Sequence, residues 1–254
     1  DANINRAAEG IRVCEDIFRF SVKNKISGEF KNLRHKITVA VSSIPGGTLL
    51  AARDILKDKQ KFINTVSEMK RESVRDIFRS NIRRAIEAAR VIEEFSKNID
   101  QAISAGFQEI RFHLYDLEKR GWFIIEKDSV IERFRHSLYA IIDSGYIRTE
   151  SMEDTAKILV DSGTDIIQLR MKDVPDREFL YTAEKISAVC EKGNVIFIVN
   201  DRPDIAIISG AHGIHVGQDD IPLGRLMFLT GQSLVTGVST QSVDEAAAAV
   251  DADY

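Results

Sequence analysis

The chain has 254 residues, with 35 Lys and Arg against 39 Asp and Glu, a net charge of −4, and 44% apolar residues. That length suits one large domain or two ordinary ones, and the composition is that of a globular protein, not a disordered or disulfide-stapled one. No apolar run approaches the roughly 20 residues of a membrane span. No signal-peptide pattern is present, and Cys14 and Cys190 lie far apart outside any C-x-x-C pattern, so free thiols and a cytoplasmic location are expected.

The charge is uneven. Residues 1–136 carry 26 basic and 20 acidic side chains and the remainder carries 9 and 19, so +6 gives way to −10. The change of sign places a domain boundary near residue 136. Basic and acidic residues alternate along the first half instead of clustering, which argues against nucleic-acid binding.

The first half lacks strand-like alternation and repeats itself. Asn3 to Asp16 aligns with Asn81 to Glu94 at a shift of 78 residues, and Phe30-x-x-Leu33-Arg34 echoes Phe107-x-x-Ile110-Arg111. Ile4, Ile11 and Phe18 recur at helical spacing, as do Ile82, Ala85, Ala89 and Ile92. Arg12 with Asp16, and Arg90 with Glu94, sit four apart as ion pairs on a helix face. The expectation is an all-helical domain over residues 1–125, of about four main helices with a two-fold internal repeat. Its regular charges are expected on a solvated face or an interface. Ser43 to Leu50 is expected as a turn-rich break, followed by a Lys-rich loop to Lys61. Residues 126–136 are expected to link this domain to the second.

From Ser137 the texture changes. Leu138–Ile142 reads as a strand ending in Asp143, and Ser151–Ser162 as a helix stopped by Gly163. Ile166–Leu169 is a second strand, and Asp176–Glu191 a helix closed by Gly193. Val195–Val199 is a third strand, Ile205–Ser209 a short helix, Gly213–Val216 a fourth strand and Leu234–Ser239 a fifth. Val243–Val250 is a helix, and Ala252 to Tyr254 the approach to a sixth strand. Strand starts about 20–30 residues apart are the rhythm of β/α units. Either a (β/α)8 barrel or an open doubly wound sheet fits. The absence of G-x-G-x-x-G disfavours a dinucleotide fold, and polar residues at every strand end suit a barrel rim.

Parallel strands would gather their ends in one place, with Gln168, Arg170, Lys172, Asn200, Asp201, Asp220 and Ser239 on the rim. Arg170 and Lys172 are cationic donors for phosphate. Asp201 and Asp220 are hard oxygen ligands of the kind Mg²⁺ takes, with substrate phosphates completing the shell. Together they suit a magnesium-bound diphosphate; the bland reading of Asp201 is a helix N-cap. His215 is expected to pack or orient inside its strand.

Four strand-end motifs, Gln168-Leu-Arg-Met-Lys-Asp173, Val199-Asn-Asp-Arg202, Gly213-Ile-His-Val-Gly-Gln-Asp-Asp220 and Gly237-Val-Ser-Thr240, resemble thiamine phosphate synthase in order and spacing. The resemblance covers residues 137–254, and the helical half is similar to the amino-terminal extension of some cyanobacterial members. It implies a (β/α)8 barrel, incomplete here at five to six strands, and a transferase that joins hydroxymethylpyrimidine diphosphate to hydroxyethylthiazole phosphate with release of pyrophosphate. It further implies that Gln168, Arg170, Lys172, Asn200 and Ser239 contact the pyrimidine diphosphate, with Arg170, Lys172 and Ser239 as catalytic residues. Asp201 and Asp220 would hold Mg²⁺. The family's dissociative chemistry asks for charge stabilisation on the leaving group more than for a general base.

The implied partners are these two small molecules, with no nucleic acid or membrane and with a homo-oligomer left open. Met171 stands where the family usually has Glu, and Gln241 where His is common. The chain looks cut at both ends, and a polypeptide of this length is expected to be inactive alone. The competing readings are a thiazole tautomerase-like barrel, another phosphate-binding barrel, and a helical binding or oligomerisation module carrying a non-catalytic barrel fragment.

Overall fold

The computed structural model describes residues 1–51, 71–230 and 234–252. The chain divides into two compact units, Asp1–Ile125 and Glu126–Tyr254. The Lys-rich stretch to Lys61 and the last two residues of the expected sixth-strand approach lie outside the described residues.

The first unit is helical. Helix α1 (Ala2–Asp16) widens into a π-helical turn, Ile17–Ser21, and is followed by α2 (Ile26–Ala40) and a short α3 (Gly46–Ala51). Then come α4 (Val74–Ser96) and the long α5 (Gln101–Glu132). Ser73 starts α4 by accepting a hydrogen bond from the Asp76 N–H at 3.1 Å, and Asp76 sits favourably in the first turn. Phe78, Ile82, Ala85, Ile86 and Ala89 form one buried stripe along α4, the pattern of a helix with a single core face.

Against that stripe lies α1, whose Gly10 is required by closeness: a Cβ there would sit 2.6 Å from the Asn81 carbonyl oxygen. Phe18, Phe30 and Phe78 form an aromatic cluster with ring centroids 5.4–6.3 Å apart. Where Ser43–Leu50 was expected as a break, Gly46–Ala51 closes one helical turn and a half.

The expected solvated charge face is in part internal. Glu15 is buried and accepts a hydrogen bond from the Arg34 guanidinium at 3.0 Å, with Arg12 at 3.7 Å. Glu93, 78 residues on, is buried and accepts from Arg111 at 2.7 and 3.3 Å and from Arg90 at 2.9 Å. A buried carboxylate is tolerated only when paired and hydrogen-bonded, and each copy of the charged motif supplies the same solution.

In the second unit, five strands make one parallel sheet in the order β1-β2-β3-β4-β5. They are β1 (Tyr139–Asp143), β2 (Ile166–Arg170), β3 (Ile196–Asn200), β4 (Gly213–Val216) and β5 (Val235–Val238). Between them run α6 (Thr149–Asp161), α7 (Asp176–Gly193), α8 (Pro203–Ile208) and α9 (Leu223–Thr230), with α10 (Val243–Ala252) last. The order never reverses, so this sheet has no topological switch point of the kind that marks open doubly wound folds.

One sheet face, carrying Ile142, Ile167, Leu169, Phe197, Val199, Ile214 and Val216, packs on Met152, Ala156, Phe179, Ile186, Ile205 and Leu226 of the helices. Strands buried on a helix-covered face become the short apolar runs seen in the sequence. Met171, at the departure from the family pattern, is buried in this same core. Both cysteines are buried free thiols, and burial pushes the Cys190 thiol up to about 12.

Three local expectations are corrected. Residues 126–132, expected as linker, continue α5, because Val130 and, just beyond, Phe134 cover Ile166, Ile196 and Ile198 on the other sheet face. Helix α7 runs through Gly193 and is closed by Asn194 rather than by the glycine: Asn194 takes the left-handed conformation (φ 54°, ψ 38°), which asparagine tolerates. Helix α9 was not expected at all; its Leu226 is fully buried.

Candidate functional site

Parallel pairing brings the carboxyl ends of all five strands to one edge of the sheet. The register sets Asp143 opposite Arg170 on β1 and β2, and Asn200, His215 and Gly237 in a row across β3, β4 and β5. These residues lie on the face opposite the one that packs against α6 to α9.

Arg170 is joined to Asp143, Nη1 to Oδ2 at 2.5 Å. The Gly145 N–H donates to the other Asp143 oxygen at 2.8 Å, and this bond, with the Arg170 guanidinium, holds the Asp143 carboxyl below the usual range. The loop after β2 is pinned by the Lys172 N–H donating to Ser144 Oγ at 3.1 Å, while the Lys172 side chain stays exposed. Gln168 and Asn200 are buried and joined, Gln168 Nε2 donating to Asn200 Oδ1 at 2.7 Å. The Tyr139 hydroxyl donates to Gln168 Oε1, also at 2.7 Å.

On the other side, Ser239 Oγ lies 2.9 Å from His215 Nε2, and Gln218 Nε2 donates to the Ser239 carbonyl at 2.6 Å. Gly237 leaves room for the imidazole, since a Cβ there would sit 2.6 Å from His215 Nδ1. Burial lowers the His215 pKa, which favours a neutral ring.

Asp201 and Asp220 meet. Asp201 adopts φ 63°, its N–H donating to the His215 carbonyl at 2.8 Å. Asp220 reaches back to accept from the Gly217 N–H at 2.6 Å. The two carboxyl groups hydrogen-bond each other. Burial, then that bond and the Asp220 charge, raise the Asp201 pKa, against the pull of Lys172 and Arg170. Asp201 is not a helix cap: α8 has Arg202 at its N-cap position with no side-chain cap. Two facing carboxylates, one of which binds its proton more tightly than usual, are suited to a hard divalent cation. Among the described residues no group of three or more His, Cys, Asp or Glu could hold a metal, so any further ligands would come from substrate and water, as Mg²⁺ commonly accepts.

All seven expected residues therefore lie at the strand ends, in three local groups: Gln168 with Asn200, Asp201 with Asp220, and Ser239 with His215. Arg170 and Lys172 flank the acidic pair as its cationic neighbours. Sequence reasoning missed two contributors. Asp143 was seen as a strand end but not as the partner of Arg170, and Tyr139 was not singled out; both sit on the alternating face of β1, the signal that could have found them.

A parallel sheet wound in sequence, with cations, buried amides and paired carboxylates at its strand ends, is an α/β core of the class that carries its ligand sites at that edge. The family model for thiamine monophosphate synthase matches residues 138–254, and the ThiD2 family model matches residues 1–120. The thiamine-phosphate synthase of Prochlorococcus marinus subsp. pastoris is 37% identical over 252 residues, which cover 95% of this chain and 67% of that one. That of Synechocystis sp. is 32% identical over 258 residues, covering 100% and 72%, and that of Rhodopirellula baltica 32% over 254, covering 96% and 66%.

The chain belongs to the thiamine-phosphate synthase family, whose members are transferases of thiamine biosynthesis. It spans about two thirds of the length of these relatives. A solved thiamine phosphate pyrophosphorylase from Pyrococcus furiosus aligns with 47% of this chain and 57% of its own at 27% identity and a TM-score of 0.42.

Proposed function

We propose that this chain supplies the diphosphate- and metal-binding half of a thiamine phosphate synthase, joining hydroxymethylpyrimidine diphosphate to hydroxyethylthiazole phosphate with release of pyrophosphate. The observation that carries the reading is the facing Asp201–Asp220 pair beside Arg170 and Lys172. In this reading Asp201 and Asp220 hold Mg²⁺. The ion would supply charge neutralisation to the departing diphosphate. Arg170, Lys172 and Ser239 contact the diphosphate oxygens and stabilise the charge that develops as the C–O bond to the pyrimidine breaks. Gln168 and Asn200 orient the same substrate through their amides.

Asp143 holds the Arg170 guanidinium at the strand ends and His215 holds Ser239, so both cationic and hydroxyl donors are set before the ligand arrives. The exposed Leu138 and Ile141 at the β1 edge fit a sheet completed by further strands as a (β/α)8 barrel. The repeated Glu15 and Glu93 ion pairs support a duplicated helical domain over residues 1–125, separate from the chemistry. Among the described residues no helix is long and apolar enough to cross a membrane. We place the activity in the cytoplasm, on small-molecule substrates.

Calorimetric titration of the chain with hydroxymethylpyrimidine diphosphate, the corresponding monophosphate and inorganic pyrophosphate tests the reading. The diphosphate ester should bind tightest by about tenfold or more, since it alone engages both amides and cations. Equal affinity for all three would point to another phosphate-binding barrel.

A further inference from the structure

The buried amides of Gln168 and Asn200 raise a question of polarity. A carboxamide carries an acceptor at one end and donors at the other. Linked head to tail, two such groups can run in either direction. In one direction Asn200 is left with N–H donors for a ligand at the strand ends; in the other it is left with a carbonyl oxygen. An anionic diphosphate is attracted by the first and repelled by the second.

The direction is set at β1. Tyr139 Oη donates to Gln168 Oε1 at 2.7 Å, which leaves Gln168 Nε2 to donate to Asn200 Oδ1 at 2.7 Å. With its carbonyl occupied, Asn200 has Nδ2 to offer. The phenol stays a donor for two reasons. The pocket on its own side is lined by Ile131, Phe134, Ile198 and Ile214 together with Lys127, His215 and Thr236, and the hydroxyl is committed instead to Gln168 Oε1 at 2.7 Å. Burial also pushes the Tyr139 pKa up to about 12, so the proton is retained throughout the working range. Both amides are over nine-tenths buried, and neither can correct a wrong orientation by turning to water.

We infer that Tyr139 is a positioning residue whose hydroxyl fixes the direction of the Tyr139–Gln168–Asn200 relay, so that Asn200 presents its amide N–H groups to the diphosphate substrate. This deepens the proposed function and rests on the reading that Asn200 contacts that substrate. Removing the hydroxyl leaves Gln168 Oε1 buried without its donor and takes away the contact that distinguishes the two directions, so a turned-over amide, with Asn200 reversed as well, competes with the original one.

The test is a double-mutant cycle on the whole chain, read by calorimetry with hydroxymethylpyrimidine diphosphate. Tyr139→Phe keeps the ring and its packing, so it should still fold, with a melting temperature lowered by a few degrees for the lost hydrogen bond, while affinity falls about tenfold. In an Asn200→Ala background the same change should produce no further loss. The Asn200 side-chain amide resonances, followed in ¹⁵N–¹H spectra, should shift on ligand addition in the unaltered protein and not in Tyr139→Phe.

An unchanged affinity in Tyr139→Phe, or an equal loss with and without Asn200, would overturn the relay. If Asn200→Ala alone leaves affinity unchanged, the assignment of Asn200 to the substrate has failed, and the relay's role fails with it. A loss in Asn200→Ala combined with an additive loss from Tyr139→Phe overturns the relay alone.

Discussion

Asp201→Asn separates a binding role from a structural one, because the two move stability in opposite senses. In the folded chain the Asp201 and Asp220 carboxyl groups hydrogen-bond each other, and Asp201 holds its proton more tightly than an ordinary aspartate. When both are ionised, two unit charges in contact repel by between about 1 kcal/mol in water and about 4 kcal/mol at the effective dielectric of a protein surface. Arg170 and Lys172 offset part of this, leaving a net cost of about 1 kcal/mol after solvent screening. Asparagine removes it, keeps the hydrogen bond to Asp220 and accepts the φ of 63° as readily as aspartate.

The second unit of Asp201→Asn should therefore melt about 3 °C higher at neutral pH. The sign follows from linkage. A carboxyl group with a raised folded pKa costs stability once the unfolded chain would ionise it, so the gain is absent below the unfolded aspartate pKa of about 3.9, grows above it and is complete once pH exceeds the folded value. Differential scanning calorimetry across that range is the assay. A melting temperature that is unchanged or lowered at neutral pH, or a gain that does not vary with pH, would refute the electrostatic reasoning.

Three further outcomes are expected. Gly237→Ala puts a Cβ within 2.6 Å of His215 Nδ1, displaces the imidazole from Ser239 and should weaken diphosphate binding about three- to tenfold by calorimetry, with a stability loss of about 1 kcal/mol. Glu93→Gln leaves the buried Arg111 guanidinium without its counter-charge and should destabilise the helical unit by about 3 kcal/mol in urea titration. Glu15→Gln should destabilise it less, because its partners Arg34 and Arg12 are 32% and 47% exposed against 10% for Arg111 and water can take over part of the charge.

The strands were legible because burial forces them to be apolar and brief, and because the polar tips interrupt each run at the residue where the chain reaches solvent. Arg170, Asn200, Asp201 and Asp220 stood out for that reason. Asp143 and Tyr139 did not, since their roles depend on the register that sets β1 beside β2, and register is a relation between strands that no single run displays. Helix α9 was missed because Ile221 to Thr230 is apolar nearly throughout, without the polar face that marks a surface helix. In the helical unit, the repeat was visible as charge spacing, but the burial of Glu15 and Glu93 was not. It arises only where Arg34 and Arg111 arrive from the following helix of each copy.

The central claim, that the strand ends form one site for a magnesium-bound diphosphate, is tested most directly by the magnesium dependence of binding. The affinity of the unaltered chain for hydroxymethylpyrimidine diphosphate should rise about tenfold or more between magnesium-free buffer and saturating Mg²⁺ at neutral pH, and this gain should disappear in Asp201→Asn. An affinity indifferent to Mg²⁺, or a gain that survives the loss of Asp201, would contradict it.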